Sequence, residues 1–576
     1  MKGLKRENYS CVAIIPAAQA DDGVMDRLRL LRISGVKIWV ITDDAAFFST
    51  LQSSLGGFHS EIHLAEGIRL SHAMEFDGAL SKASHKILRK LDKISAFNYN
   101  QFILEHEEIS ANIMVAAGAG TGKTTSMVSR ISYLIFRHNL DGHALPDAIF
   151  MLTFSKSAAA HMKTKLAAYF RDYFALTRDE AALALERAVG RMRIDTIHAL
   201  ARRLLNVEVV DTNQIKFDFL GRALEEYGGE QAEGLQEHLF YLLSQMRRKN
   251  IDPEDENLDW GKPSDPVFHE MMLAALRRAA RDTRRHLAAS RKAGLDDLIP
   301  LALNSPIAPE ENPPQYVFVD EFQDSDNTQI ALIQRLRELY GFKLFVVGDI
   351  KQCIYRFRGA DSTAFETLAG SARGFNLHYL NKNYRSDRRL LDELNGHFSL
   401  WGAFGLLEYK RRDRLVGLRD LGETAPVTAI AESAENGLIS ALAALDSEDI
   451  AILVRKNHQV ERIKKMLAAK GMAFGDKITI MTIHKAKGLE FDIVILPHLP
   501  NIFKQKSRTY ETEISMHDKY ISYSIEINFE LFTNNHHEMF KKIEAKERQA
   551  EEARILYVAT TRAKRRLIHF GEFPAP

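Results

Sequence analysis

The stretch "NIMVAAGAGTGKTT", residues 112–125, constrains the fold more than any other part of the chain. An apolar β-type run meets a glycine-rich turn, and the turn opens directly into a helical pattern. That order aims backbone N–H groups and the positive end of a helix at one point, which suits a bound phosphate. The spacing lets Lys123 reach terminal phosphates and puts Thr124 at a magnesium ion, with Gly118, Ala119, Gly120, Thr121, Gly122 and Thr125 completing the loop. The strict pattern asks for glycine at 117 and finds Ala117, a position that leaves the strand and tolerates a methyl group. A glycine-rich turn without a ligand is the competing reading, and the strand and helix around GTGKTT argue against it.

Similar apolar runs, each followed by polar residues and a helical pattern, recur as "AIFMLTF", "YVFVDEF" and "LFVVGD". A second series follows: "LHYLN", "DIAILVR", "ITIMT", "DIVILP" and "RLIHF". The alternation predicts an α/β fold with mostly parallel sheets in two domains, with chemistry at the carboxyl ends of the strands. "YVFVDEFQDSD" ends such a strand in carboxylates. With a phosphate loop upstream, Asp320 is expected to hold Mg²⁺ through water and Glu321 to polarise an attacking water.

A chain of 576 residues exceeds one compact core, so several domains are expected. Lys plus Arg (77) nearly balances Asp plus Glu (76), so any surface for nucleic acid must be local. The start, "CVAIIPAAQA", imitates a signal peptide, but its apolar part is short and broken by Pro16, which favours a buried strand. No segment is long and apolar enough to span a bilayer, so no membrane partner is expected. Cys11 and Cys353, far apart in sequence, form no disulfide framework or metal site, which suits a reducing cytoplasm.

Residues 203–300 lose the strand signal and read as a helical insertion, ending in the Pro-rich connector "NSPIAPEENPPQ". Within it Arg277, Arg281 and Arg284, flanked by Arg278 and Arg285, form a candidate basic ridge for phosphates, or a solvated helix face. Residues 1–97 carry a separate small α/β pattern. There Asp21 with Asp22 and Asp43 with Asp44 each follow an apolar strand. The four carboxylates would meet at one sheet edge and bind a metal if those strands are parallel neighbours, although Asp at strand ends is also ordinary turn chemistry.

The ordered series "FNYNQ", "AAGAGTGKTT", "LTFSKSAAAHM", "DTIHALARRLL", "VDEFQDSD", "VVGDIKQCIYRFRGAD", "LNKNYRS", "TIHKAKGLEF" and "YVATTRAKRRL" closely resembles the UvrD/Rep/PcrA helicases of superfamily 1 over roughly residues 98–570. The resemblance implies two RecA-like domains, residues 98–202 with 301–372 and residues 373–576. It implies an ATP- and Mg²⁺-dependent motor that moves 3′ to 5′ on single-stranded DNA or a tailed duplex, in repair, recombination or genome defence. A rival reading is a switch subunit gated by ATP and DNA and joined to a protein partner such as a nuclease. By resemblance Gln101 reads the adenine edge, Tyr384 offers a ring face to the base, Glu490 bonds the ribose and Gln352 senses the γ-phosphate. Arg385 and Arg562 resemble arginine fingers, although either taken alone also fits a surface ion pair. Phe154, Tyr355 and Phe357 stand where the family stacks bases, with core packing as the competing explanation for each. His198, His484 and Lys487 are placed beside the DNA.

Three features depart from the family. Only a turn around "GMAFGDK" stands where a large accessory domain is inserted, so translocation is a safer expectation than unwinding. "LTFSKS" puts Lys156 and Ser157 where Asn and Lys are usual. Residues 501–545 lengthen the connection between the last two motifs, and "KYISYSIEINFELF" there suggests a small strand pair followed by a helix.

Overall fold

The computed structural model describes residues 9–575 apart from 58–59, 66–69, 71–73, 78–81, 154–155, 227–231, 309, 357–367, 369–373, 424, 432–433, 446–448, 473–474, 476, 500–501 and 504–511. The signal-like start is strand β1 (Ser10–Ile15), buried along its whole length. It pairs in parallel with β2 (Lys37–Thr42), which pairs in parallel with β3 (Ser60–Leu64), while β4 (Met74–Asp77) runs antiparallel on its other side. β1 and β2 are the parallel neighbours that the carboxylate idea required, yet the acids serve the backbone. Asp21 and Asp44 cap helices Asp22–Ile33 and Ala45–Leu55, and Asp43 accepts from the N–H groups of Ala17 and Leu70.

The first large sheet is built from β5 (Asn112–Ala117), β6 (Ile149–Thr153) and β7 (Ile194–Thr196). The short pair β8 (Glu208–Val210) and β9 (Lys292–Gly294) brackets the helical insertion. Then come β10 (Tyr316–Val319), β11 (Lys343–Gly348) and β12 (Phe375–Leu380), giving the all-parallel order β12-β5-β11-β10-β6-β7. "LHYLN" was expected in the second sheet. It lies instead at the edge of the first, its backbone bonded to β5.

Strand β13 (Lys382–Asp387) pairs with β14 (Val416–Arg419) beside the second sheet. That sheet takes β15 (Val427–Ile430), β16 (Ile450–Val454), β17 (Ile478–Thr482) and β18 (Phe491–Leu496). After β19 (Glu513–His517), β20 (Tyr520–Ile527) and β21 (Glu530–Thr533), it closes with β22 (Ala563–Phe570) in the parallel order β15-β22-β18-β16-β17. Only residues 470–477 separate helix Asn457–Ala469 from β17, so no domain is inserted there.

Where a strand pair was expected, β19, β20 and β21 form a three-stranded antiparallel sheet. Its apolar side chains Ile514, Ile521, Tyr523 and Ile525 share one core with Leu239, Leu242, Met272 and Leu276 of the helical insertion. Ile514, Ile521 and Ile525 are wholly buried, worth about 1.5–3 kcal/mol each. The extension in the second domain and the insertion in the first are therefore one body. His238 and Gln245 bond Thr512, and Lys249 donates to the Ile514 carbonyl at 2.6 Å.

Candidate functional site

Strand β5 delivers the chain to the glycine-rich turn at the carboxyl edge of the first sheet, and helix Lys123–His138 leaves it. Ala117 is the last residue of the strand and its methyl is buried in the core, which explains why glycine is dispensable there. Gly120 and Gly122 have φ of 69° and 82°, the left-handed region. A Cβ at Gly120 would also come within 2.6 Å of the Asn383 amide and 2.8 Å of the Arg385 Cβ. The second domain is thus pressed against the turn. Tyr384 N–H donates to the Gly120 carbonyl at 2.9 Å, and Asn383 Nδ2 donates to the Ala119 carbonyl at 2.7 Å.

From the turn a polar chain crosses the domain boundary. Lys123 Nζ lies 3.5 Å from Glu321 Oε2, which also accepts from Gln323 Nε2. Gln323 Oε1 takes the Asp349 N–H at 2.9 Å, and the Asp349 carboxylate accepts from Gln352 Nε2 at 2.9 Å and from the Tyr557 hydroxyl at 3.1 Å. The Gln352 carbonyl accepts from Lys487 Nζ at 2.8 Å, and Lys487 also grips Asp324. Lys487, expected beside the DNA, thus turns its ammonium inward here. Its ammonium is buried between Asp324 and the backbone, because a desolvated charge needs an opposite charge and full hydrogen bonding.

Burial, with Glu321 and Asp324 close by, raises the Asp320 carboxyl. Burial also pushes on Glu321, but Lys123 and Lys487 outweigh it and hold that carboxyl down. The two acids are driven apart: one is short of positive charge and the other stays ionised. Among the described residues no group of three or more His, Cys, Asp or Glu could hold a metal. One carboxylate with the hydroxyl of Thr124 nonetheless suits a hydrated divalent ion that takes its remaining oxygens from phosphate and water.

Arg385 and Arg562 meet at this edge. Arg385 Nε lies 2.7 Å from Glu490 Oε2, so Glu490, expected at a ribose, bonds an arginine here. Arg562 is 1% exposed and donates to the carbonyls of Leu489 and Val558. Burial and the neighbouring Arg385 push its guanidinium down to about 9. Gln101 spends both ends of its amide within the fold: Nε2 donates to the Thr121 carbonyl at 3.0 Å and Oε1 accepts from the Tyr384 hydroxyl at 3.1 Å.

On the other side of the Lys487 loop, Tyr355 and His484 lie together with ring centroids 5.9 Å apart, and Lys487 is 5.0 Å from the Tyr355 ring. His484 is set against the Ile354 carbonyl. His198, in the first turn of helix Ile197–Leu205, is lowered by burial despite Asp326 and Asp296 nearby. Phe154 and Phe357 lie outside the described residues. Three arginines of the candidate ridge are paired with acids. Arg281 pairs with Glu254, Arg284 with Asp252 and Glu254, Arg278 with Glu226, and Arg277 donates to the Pro253 carbonyl. Asp349, Asn383, Asp324 and Tyr557 were missed by motif reading. A carboxylate ending strand "LFVVGD", as in "YVFVDE", was the available signal for Asp349.

Two family models match the chain: the UvrD/REP helicase N-terminal domain over residues 100–372 and the UvrD-like helicase C-terminal domain over residues 469–570. The chain is 27% identical over 412 residues to a probable DNA helicase of Mycoplasma pneumoniae, covering 66% of this chain and 72% of that one. It is 24% identical over 388 residues to the ATP-dependent DNA helicase PcrA of Leuconostoc citreum, 63% of this chain and 47% of that protein. With DNA helicase II of Escherichia coli the figures are 26% over 304 residues, 50% and 38%. The match thus spans less than half the length of the latter two relatives. Among the described residues no helix is long and apolar enough to cross a membrane.

Proposed function

Because the chain belongs to the UvrD-like helicase family, we propose that it is a DNA-dependent ATPase that moves 3′ to 5′ on single-stranded DNA and opens tailed duplexes. The observation that carries this reading is the polar chain from Lys123 through Glu321, Gln323, Asp349 and Gln352 to Lys487. It joins the phosphate turn to the loop that also holds His484 and Glu490, so a change at one end has a physical route to the other.

In this reading Lys123 and the turn would hold the ATP phosphates, and Thr124 and Asp320 would hold Mg²⁺. When bound, the ion offsets phosphate charge. Glu321, kept ionised, accepts the proton of the attacking water. Arg385 and Arg562 face the charge that builds in transfer, and their place in the second domain ties hydrolysis to closure. Tyr355, His484 and His198 form the candidate DNA face.

Steady-state ATP hydrolysis with and without single-stranded DNA tests it, with Glu321→Gln as the blank. Stimulation by DNA that the blank lacks, with unwinding from 3′ tails only, is the expected result. Hydrolysis no higher than the blank's sinks the reading. The short connection 470–477 favours a second reading, a switch subunit gated by ATP and DNA for a partner such as a nuclease. In that case the chain hydrolyses ATP on single strands but leaves tailed duplexes paired.

A further inference from the structure

The N-terminal α/β domain lies outside both family matches, yet it backs the helix that presents Gln101 to the proposed nucleotide pocket. Its β1–β2 face packs on helix Tyr99–His106, the helix that carries Gln101. Trp39 of β2 meets Phe97 and Phe102 edge to face at 5.6 and 5.4 Å. At the far end of that helix Glu105 accepts from Lys37 Nζ at 2.7 Å and from the Tyr9 hydroxyl at 2.6 Å, all three side chains buried. The helix is therefore held along its length by the extra domain.

One lysine extends this grip into the second domain. Lys382 opens β13, two residues before Tyr384 and three before Arg385. Lys382 is 6% exposed, and its ammonium reaches back to the end of helix Lys82–Ile94. There it donates to the carbonyls of Asp92, Ser95 and Phe97 at 2.5, 3.0 and 2.5 Å and lies 3.2 Å from the Asp92 carboxylate. A helix C-terminus gathers unpaired carbonyls and partial negative charge, which suits a cation. The same Asp92 carboxylate accepts the Tyr99 N–H, and Asn98 Nδ2 donates to the Tyr384 hydroxyl. Without the extra domain the buried Lys382 ammonium would lose these acceptors, and the segment carrying Tyr384 would lose one of the anchors that fix its position.

We propose that Lys382 is a positioning residue: anchored in the N-terminal domain, it fixes the Tyr384–Gln101 pair against the nucleotide base and so sets the preference for ATP over GTP. This rests on the pocket assignment above.

The test uses the full chain carrying Lys382→Met, with Asp92→Asn as a milder second variant in case the first fails to fold. KM and kcat are measured for ATP and GTP at saturating single-stranded DNA. Expected for Lys382→Met is a rise of about tenfold in KM for ATP, the equivalent of one lost charge-assisted contact, with the ATP-to-GTP ratio of kcat/KM falling similarly and kcat for ATP nearly unchanged. Asp92→Asn shifts the same quantities less. An unchanged ratio in folded variants, or an equal loss of kcat for both nucleotides, overturns the proposal. If wild type hydrolyses neither nucleotide, the proposed function fails, while equilibrium binding of ADP against GDP to wild type and variants still reads the positioning role.

Discussion

Lys487 and Asp324 form a buried ion pair between the two large domains, with Nζ 2.7 and 2.5 Å from the two carboxylate oxygens and both side chains nearly inaccessible. Removing one partner leaves an uncompensated charge, so Lys487→Met is expected to cost about 3–5 kcal/mol in urea unfolding. Pairing it with Asp324→Asn should regain most of that loss. Equal stability of the single and double variants would show that the pair is solvated in solution.

Arg562 donates into a fixed set of carbonyls, so Lys at this position keeps the charge and loses the planar fork. Arg562→Lys should bind nucleotide within a few-fold of wild type and lose about a thousandfold in kcat. Rapid-quench turnover beside equilibrium binding separates the two quantities, and a variant of normal kcat would remove Arg562 from the chemistry.

The arginines of the helical insertion carry an opposite expectation. Arg284 is satisfied by Asp252 and Glu254, so Arg284→Ala should leave the affinity for single-stranded DNA and its salt dependence unchanged. A phosphate-binding arginine would instead lower the slope of log affinity against log salt by about 1. Fluorescence anisotropy titrations across a salt series distinguish the two.

His63 lies buried against Trp39 and Phe97, and burial, with Lys382 adding to it, lowers its imidazole from 6.5 to about 3. The unfolded chain takes up a proton below 6.5 that the folded chain refuses, so stability falls as pH drops between those values. His63→Phe should remove about 2 kcal/mol of the difference between pH 7 and pH 5, read from urea unfolding at both. Identical pH slopes in the two proteins would mean that His63 protonates within the fold.

Asn528 and Phe529 turn β20 into β21 with φ of 49° and 68°, and the Phe529 side chain is 99% exposed. A side chain in that conformation is strained by about 1 kcal/mol and here recovers nothing by packing. Phe529→Gly should therefore raise the unfolding free energy by up to that amount. A loss of stability would place hidden contacts on the ring.

Sequence reading reached those parts of the molecule whose causes are local. Residues 112–125 contain the strand, glycine-rich turn and helix of the candidate site, and "YVFVDE" carries its own strand and acids. Relationships spanning hundreds of residues were out of reach. Lys487 reads as a basic loop residue until the fold brings Asp324, 163 positions earlier, against it. Lys382 looks like any strand lysine, since its acceptors are carbonyls almost 290 residues away. "LHYLN" pairs as well with one sheet edge as another, and only the assembled first sheet shows that β5 had room beside it.

The shared core of the helical insertion and the β19–β21 sheet has a consequence for synthesis. His238 waits for Thr512 and Trp260 for Asn534, each 274 residues further along the chain. At translation rates of about 5–20 residues per second, the apolar faces of those helices remain uncovered for tens of seconds while the second domain is made. A nascent chain halted before residue 512 would therefore leave Leu239, Leu242, Met272 and Leu276 without the strands that complete their core and present that face to chaperones.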